Sequence, residues 1–105
     1  MSNIAYYRVS TTDQSIESQR AALSRGRTFD KEFKDECVSG AVPAADWPGF
    51  AKMLELVREG DTLYVYAVDR LGRDAINIQM TVRNLIDKGV TVDIHGMGPI
   101  GRGGR

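Results

Sequence analysis

The chain has 105 residues, enough for one domain around a single core, and its 14 Lys and Arg are balanced by 14 Asp and Glu. That balance excludes a general basic field that would hold nucleic acid by charge alone, so any phosphate recognition must be local. One cysteine (Cys37) excludes an internal disulfide, and one cysteine with one histidine (His95) excludes a zinc site of the usual kind.

The N-terminus carries no basic stretch followed by a long apolar one. The longest apolar run, residues 63–68, is far shorter than the ~20 residues of a membrane helix. The expected protein is soluble and cytoplasmic, with no membrane partner. Residues 4–9, IAYYRV, are aromatic and β-branched and predict a strand covered on both faces. Thr12 or Asp13 then caps a helix running to about Arg25, with Ile16, Ala22 and Leu23 inward. Residues 29–33 predict a short second strand, and residues 34–46, richer in Gly, Pro and Ser, a loop in which Cys37 is a free thiol without a role.

Asp46 before WPGF predicts a helix N-cap with Pro48 in the first turn, and Phe50, Met53, Leu54 and Val57 follow at helical spacing. Gly60 and Asp61 stop that helix. Residues 62–68, TLYVYAV, predict a third strand, and Asp74 opens a further helix to about Lys88 with Gly89 at its C-terminal cap. In this helix Ile78, Val82, Leu85 and Ile86 form the core face, while Ile76 and Met80 lie opposite. Residues 90–95, VTVDIH, predict the last strand, and residues 96–105, with five glycines and a proline, predict a flexible tail. Alternating strands and helices imply an α/β fold, a mostly parallel central sheet of about four strands with helices on both faces.

In such a sheet, ligands bind beyond the carboxyl ends of the strands. Arg8 and Ser10 stand at one such end and project to the same side, so a guanidinium and a hydroxyl can face one oxyanion. A second cluster, VDRLGRD at residues 68–74, follows another strand and brings Arg70 and Arg73 within one helical turn. Arginine suits phosphate through its planar, permanently charged fork. Chemistry on a phosphodiester depends mainly on stabilising charge at the phosphate oxygens, so a serine among arginines needs no nearby histidine. The residues alone equally allow a turn serine and surface ion pairs of Asp69, Arg70 and Arg73.

The segments YYRVSTTDQSIESQ, VSG, PGF, EGDTLYVYAVDRLGRD and GV stand in an order and spacing that resembles the resolvase/invertase family of serine site-specific recombinases. The resemblance covers the family's N-terminal catalytic domain, over about residues 3–95. It implies serine attack on a DNA phosphate, a 5′-phosphoserine intermediate with a free 3′-hydroxyl, homo-oligomers (a dimer and a synaptic tetramer) whose subunits exchange positions, and religation, with no metal or nucleotide cofactor. By motif, Ser10 is the nucleophile, Arg8, Arg70 and Arg73 hold the phosphate, Asp69 assists proton transfer or orients an arginine, and Gln14 and Gln19 support the site.

Two features depart from the family pattern. Trp47 stands where the family has an arginine before its P-G-F-like triplet; one charged hydrogen bond lost from a transition state costs on the order of 3 kcal/mol. The chain also stops where a dimerisation helix and a helix-turn-helix domain would follow, so homo-oligomers are expected to be weakened. The competing expectation is a non-catalytic remnant that keeps the fold and associates with full-length recombinases. A third, a Ser-His hydrolase using His95, lacks a G-x-S-x-G elbow.

Overall fold

In the computed structural model, residues 2–9, 16–36, 46–72 and 74–100 are described, Asp69 by its backbone alone. The strands are β1 (Asn3–Val9), β2 (Lys31–Glu36), β3 (Thr62–Val65), β4 (Thr91–Ile94) and β5 (Gly98–Ile100). The helices are α1 (Ile16–Leu23), α2 (Pro48–Leu56) and α3 (Ala75–Asp87). The sheet order is β2-β1-β3-β4-β5, parallel except where β5 runs antiparallel to β4.

The alternation of β1 side chains divides the core. Ile4 and Tyr6 point to the side of α2 and α3, where they meet Phe50, Met53, Leu63, Leu85, Val92 and Ile94. Ala5 and Tyr7 point to the side of α1, against Leu23, Ile16 and Tyr64. Helices therefore cover both faces, as the strand-helix alternation predicts. Connections leave β1 toward β2 on one side, and the chain then returns to β3 on the other. The carboxyl ends of β1 and β3 thus flank the crevice where such sheets take ligands.

Several boundaries differ from those expected. β2 lies at residues 31–36 rather than 29–33, taking three residues from the expected loop. Its start is set by pairing, because Asn3 and Asp30 exchange two hydrogen bonds, Asp30 N–H to Asn3 O (2.8 Å) and Asn3 N–H to Asp30 Oδ2 (2.8 Å). Phe29 sits before it and packs on Tyr64 at 5.5 Å. Lys31, Glu32, Lys34 and Glu36 are exposed along this edge. β3 ends at Val65, and Val68–Arg70 form a short 3-10 turn instead of continuing the strand. α1 ends at Leu23, two residues early, followed by a turn in which Gly26 has φ 72°; Ala22 is half-buried and Leu23 buried. The expected caps Thr12 and Asp13, and Cys37, lie outside the described residues.

Asp46 does not cap α2. The capping position is Trp47, which makes no side-chain cap bond. The acceptor comes from another strand: Asp35 on β2 takes Gly49 N–H on Oδ1 (2.7 Å) and Phe50 N–H on Oδ2 (3.0 Å). Gly49 is required there, because a Cβ would fall 2.2 Å from the Lys34 carbonyl oxygen.

α3 forms as its pattern predicts. Asp74 caps it by accepting Asn77 N–H at 2.8 Å. At the other end Gly89 (φ 85°) donates to Ile86 and Val90 to Leu85, the paired bonds of a left-handed glycine stop. Ile76 and Met80 are 70% and 65% exposed, opposite the core face. Gly98–Ile100, read above as part of the tail, forms β5, with Pro99 opposite Asp93. Gly98 and Pro99, of low strand propensity, are held there by the hairpin back from β4.

Candidate active site

Arg8 lies one residue from the end of β1 and is 5% exposed. Because Tyr6 and Arg8 share one face of the strand, the Arg8 guanidinium extends toward the start of α2, its Cζ 4.8 Å from the centre of the Trp47 ring. Trp47 is fully buried between Tyr6, parallel to it at 6.5 Å, and Phe50, edge-on at 6.0 Å. Its indole N–H has no hydrogen-bond acceptor among the described residues. Contacts of the ring faces, and no hydrogen bond, therefore hold it.

Arg70 arrives from the segment after β3 and is also 5% exposed. Local sequence explains its position. Leu71 is fully buried and anchors the turn, which packs against β1. Gly72 allows the chain to pass against the first turn of α3, where a Cβ would stand 2.6 Å from Ile78 N. Asp74 then caps that helix.

The Tyr6 hydroxyl donates to Asp35 Oδ2 at 2.7 Å. Burial holds its proton affinity far above the usual phenol range, the hydrogen bond to Asp35 and the charge of Asp35 add to this, and the nearby charges of Arg8 and Arg70 oppose it. Arg8 on β1 and Arg70 after β3 therefore both lie near enough to this hydroxyl for their charge to bear on its proton. Gln19, fully buried on α1, donates from Nε2 to the Arg8 carbonyl at 3.1 Å and ties that helix to the end of β1.

Of the residues expected in the site, Gln19 is bonded to the Arg8 carbonyl, and Arg8 and Arg70 are both buried near Tyr6. Ser10, Gln14 and Arg73 lie outside the described residues, and Asp69 falls in the 3-10 turn by its backbone. His95 stacks on Tyr66 at 5.2 Å and lines a hollow with Ser18, Ala22 and Arg25. Among the described residues no three His, Cys, Asp or Glu side chains gather as metal ligands, and no helix is long and apolar enough to cross a membrane.

Tyr6 and Asp35 were not singled out from the sequence. Tyr6 carried a readable signal, its position two residues before Arg8 on the same face. Asp35 carried none, because the expected strand stopped short of it.

The family model described as resolvase, N-terminal domain, matches residues 3–99. The chain belongs to the resolvase family of serine recombinases. It is 36% identical over 98 residues to the Transposon Tn2501 resolvase of Escherichia coli, an alignment covering 91% of this chain and 50% of that protein. It is 42% identical over 89 residues to the DNA-invertase hin of Salmonella typhimurium, covering 85% of this chain and 45% of that one. The chain therefore spans about half the length of these curated relatives. Among solved structures, the N-terminal catalytic domain of TP901-1 integrase has the same fold, with a TM-score of 0.71 at 22% identity, over 91% of this chain and 78% of that one.

Proposed function

We propose that this resolvase-family chain is the catalytic domain of a site-specific DNA recombinase. The Ser10 hydroxyl attacks a DNA phosphorus, the bond to the 3′-oxygen breaks, and the products are a 5′-phosphoserine and a 3′-hydroxyl. The serine proton leaves as the new ester forms, and the departing 3′-oxygen gains one, with Asp69 placed by motif to assist. Arg8, Arg70 and Arg73 hold the phosphate oxygens, where charge builds in the transition state. Gln14 and Gln19 support that arrangement, Gln19 through the Arg8 carbonyl.

The observation that carries this reading is that Arg8, at the end of β1, and Arg70, after β3, are both buried where the carboxyl ends of these two neighbouring strands flank the crevice. Permanently charged, planar guanidinium forks at that crevice suit the oxygens of a phosphate. Religation to a different strand needs two cleaved duplexes, so several copies of the chain acting together on DNA are part of the proposal. Access to DNA places it in the cytoplasm.

The test is covalent trapping on a nicked suicide duplex bearing a recombination site. The expected result is a protein-DNA adduct, stable to denaturant, that is lost in Ser10→Ala and in Arg70→Ala. The reading is refuted if no adduct forms, even with Trp47→Arg and with the C-terminal half of an invertase relative fused to the chain.

A further inference from the structure

We propose that Trp47 is a positioning residue for Arg8, a buried aromatic platform that fixes the guanidinium where a phosphate is to be met. This rests on the reading of Arg8 as a phosphate ligand. An arginine side chain has several rotatable bonds, and a fork that must meet phosphate oxygens gains rate only when its direction is settled beforehand. Here the Arg8 Cζ stands 4.8 Å from the Trp47 ring centre, well within cation-π range.

The platform itself is braced by two other rings. Tyr6 lies parallel to Trp47 (6.5 Å, 5°) and Phe50 meets it edge-on (6.0 Å, 73°). Phe50 also abuts the Tyr6 ring edge-on at 4.9 Å. Asp35 secures the rest, because one carboxyl group accepts the Tyr6 hydroxyl and both backbone N–H groups of the turn that carries Trp47 into α2.

The choice of an aromatic face has a chemical reason. An aromatic face attracts the cation through its quadrupole and accepts no N–H bond in the plane of the fork, so it steadies the guanidinium without taking up its in-plane donors. The buried indole N–H without an acceptor fits the same account: Trp47 is retained at that place for its face rather than for its donor.

The experiment compares Trp47→Leu, which keeps apolar volume and removes the ring, with Trp47→Phe, which keeps a ring, in the full chain. In ¹⁵N spectra the Arg8 Nε–H resonance, shielded by the indole ring current, is expected to move to the ordinary arginine position in Trp47→Leu and only part of the way in Trp47→Phe. On the nicked suicide duplex, Trp47→Leu is expected to slow adduct formation at saturating DNA about tenfold. The DNA concentration giving half-maximal rate stays unchanged. In an Arg8→Ala background, Trp47→Leu is expected to add no further loss, whereas a merely structural tryptophan would add its full effect.

An Arg8 resonance that does not move in Trp47→Leu, or an undiminished Trp47→Leu penalty in Arg8→Ala, overturns the proposal. If Trp47→Leu fails to fold, Trp47→Phe decides alone, since an unchanged Arg8 resonance there is equally fatal. Adduct formation at the parent rate in Arg8→Ala refutes the phosphate role of Arg8 and the need to position it. Slowed adduct formation in Arg8→Ala with no change at the resonance in Trp47→Leu refutes the platform alone.

Discussion

Replacing Asp35 by alanine is the sharpest probe of how this fold is held. Three donors converge on that carboxyl group: the Tyr6 hydroxyl at 2.7 Å, Gly49 N–H at 2.7 Å and Phe50 N–H at 3.0 Å. Asp35 is 6% exposed and Tyr6 fully buried, so water cannot replace the lost acceptor without a rearrangement. A buried hydroxyl left unsatisfied costs about 2 kcal/mol, and losing the acceptor for the first turn of a helix costs about another 2 kcal/mol. A sum of about 4 kcal/mol is a large share of the 5–15 kcal/mol that holds a typical domain. With a urea slope of about 1.5 kcal/mol/M, the unfolding midpoint falls by about 2.5 M. Asp35→Asn, which keeps one carbonyl oxygen, loses about half as much, read by circular dichroism on the same urea series. Combining Asp35→Ala with Tyr6→Phe gives less than the sum of the two, because phenylalanine has no donor to leave unpaired. An Asp35→Ala midpoint within about 0.5 M of the parent would refute the argument that one distant carboxyl group caps α2.

Gly72→Ala brings a Cβ to 2.6 Å from Ile78 N and 2.9 Å from Asn77 C; the expected cost is about 2 kcal/mol in urea unfolding, with a displaced Asn77 amide resonance as the local sign. Tyr6 and Tyr7 both hold their protons well above the ordinary phenol value of 10.0, chiefly through burial and then through hydrogen bonds to Asp35 and Glu32. A raised folded-state pKa gives stability that is complete below pH 10.0 and declines above it. Tyrosinate absorbance from these two rings is therefore expected only together with unfolding, and Tyr6→Phe should flatten part of the alkaline loss. Glu32 is shifted the other way: the Tyr7 hydroxyl (2.8 Å), followed by Arg20 Nε (2.8 Å), holds its carboxyl below the ordinary 4.5. Its contribution is present above that value and fades as the pH falls through the lowered one. Stability in Glu32→Gln should accordingly drop less between about pH 7 and pH 3 than in the parent.

What the sequence disclosed follows the range of the interactions involved. α3 was readable from end to end because its signals are local: Asp74 before it, apolar residues at helical spacing, and Gly89 where the chain must turn left-handed. β1 was readable because an apolar strand buried on both faces needs no partner to be recognised. β2 was misplaced because KEFKDE has the composition of a loop and becomes a strand only by pairing with β1. β5 was missed for the same reason, as a Gly-Pro-Ile stretch has no strand preference of its own. The cap of α2 was assigned to Asp46, the nearest acid in the chain, whereas the acceptor comes from Asp35, fifteen residues before Phe50 and on another strand.

The site divides the same way. Alternation along β1 places Tyr6 beside Arg8, and arginines in VDRLGRD suggest phosphate. Only the parallel pairing of β1 with β3, Tyr6 opposite Val65, brings Arg70 to the same crevice. The roles of Ser10, Asp69, Arg73 and Gln14 came from resemblance to the family and remain part of the proposal. The packing of Arg8 on Trp47 had no sequence signal at all, since the two are joined through space by the return of the chain to α2.

The two margins of the sheet bear on how copies of this chain can meet. On one side β2 exposes Lys31, Glu32, Lys34 and Glu36, and on the other β5 is three residues long with Pro99 at its centre, lacking a donor. A foreign strand approaching either margin meets a row of charged side chains or an interrupted ladder. Growth of the sheet from one molecule into the next is thereby discouraged, which protects a small α/β protein against fibrous aggregation. Any contact between copies is left to helices and loops, surfaces that can separate and re-form without unzipping backbone hydrogen bonds.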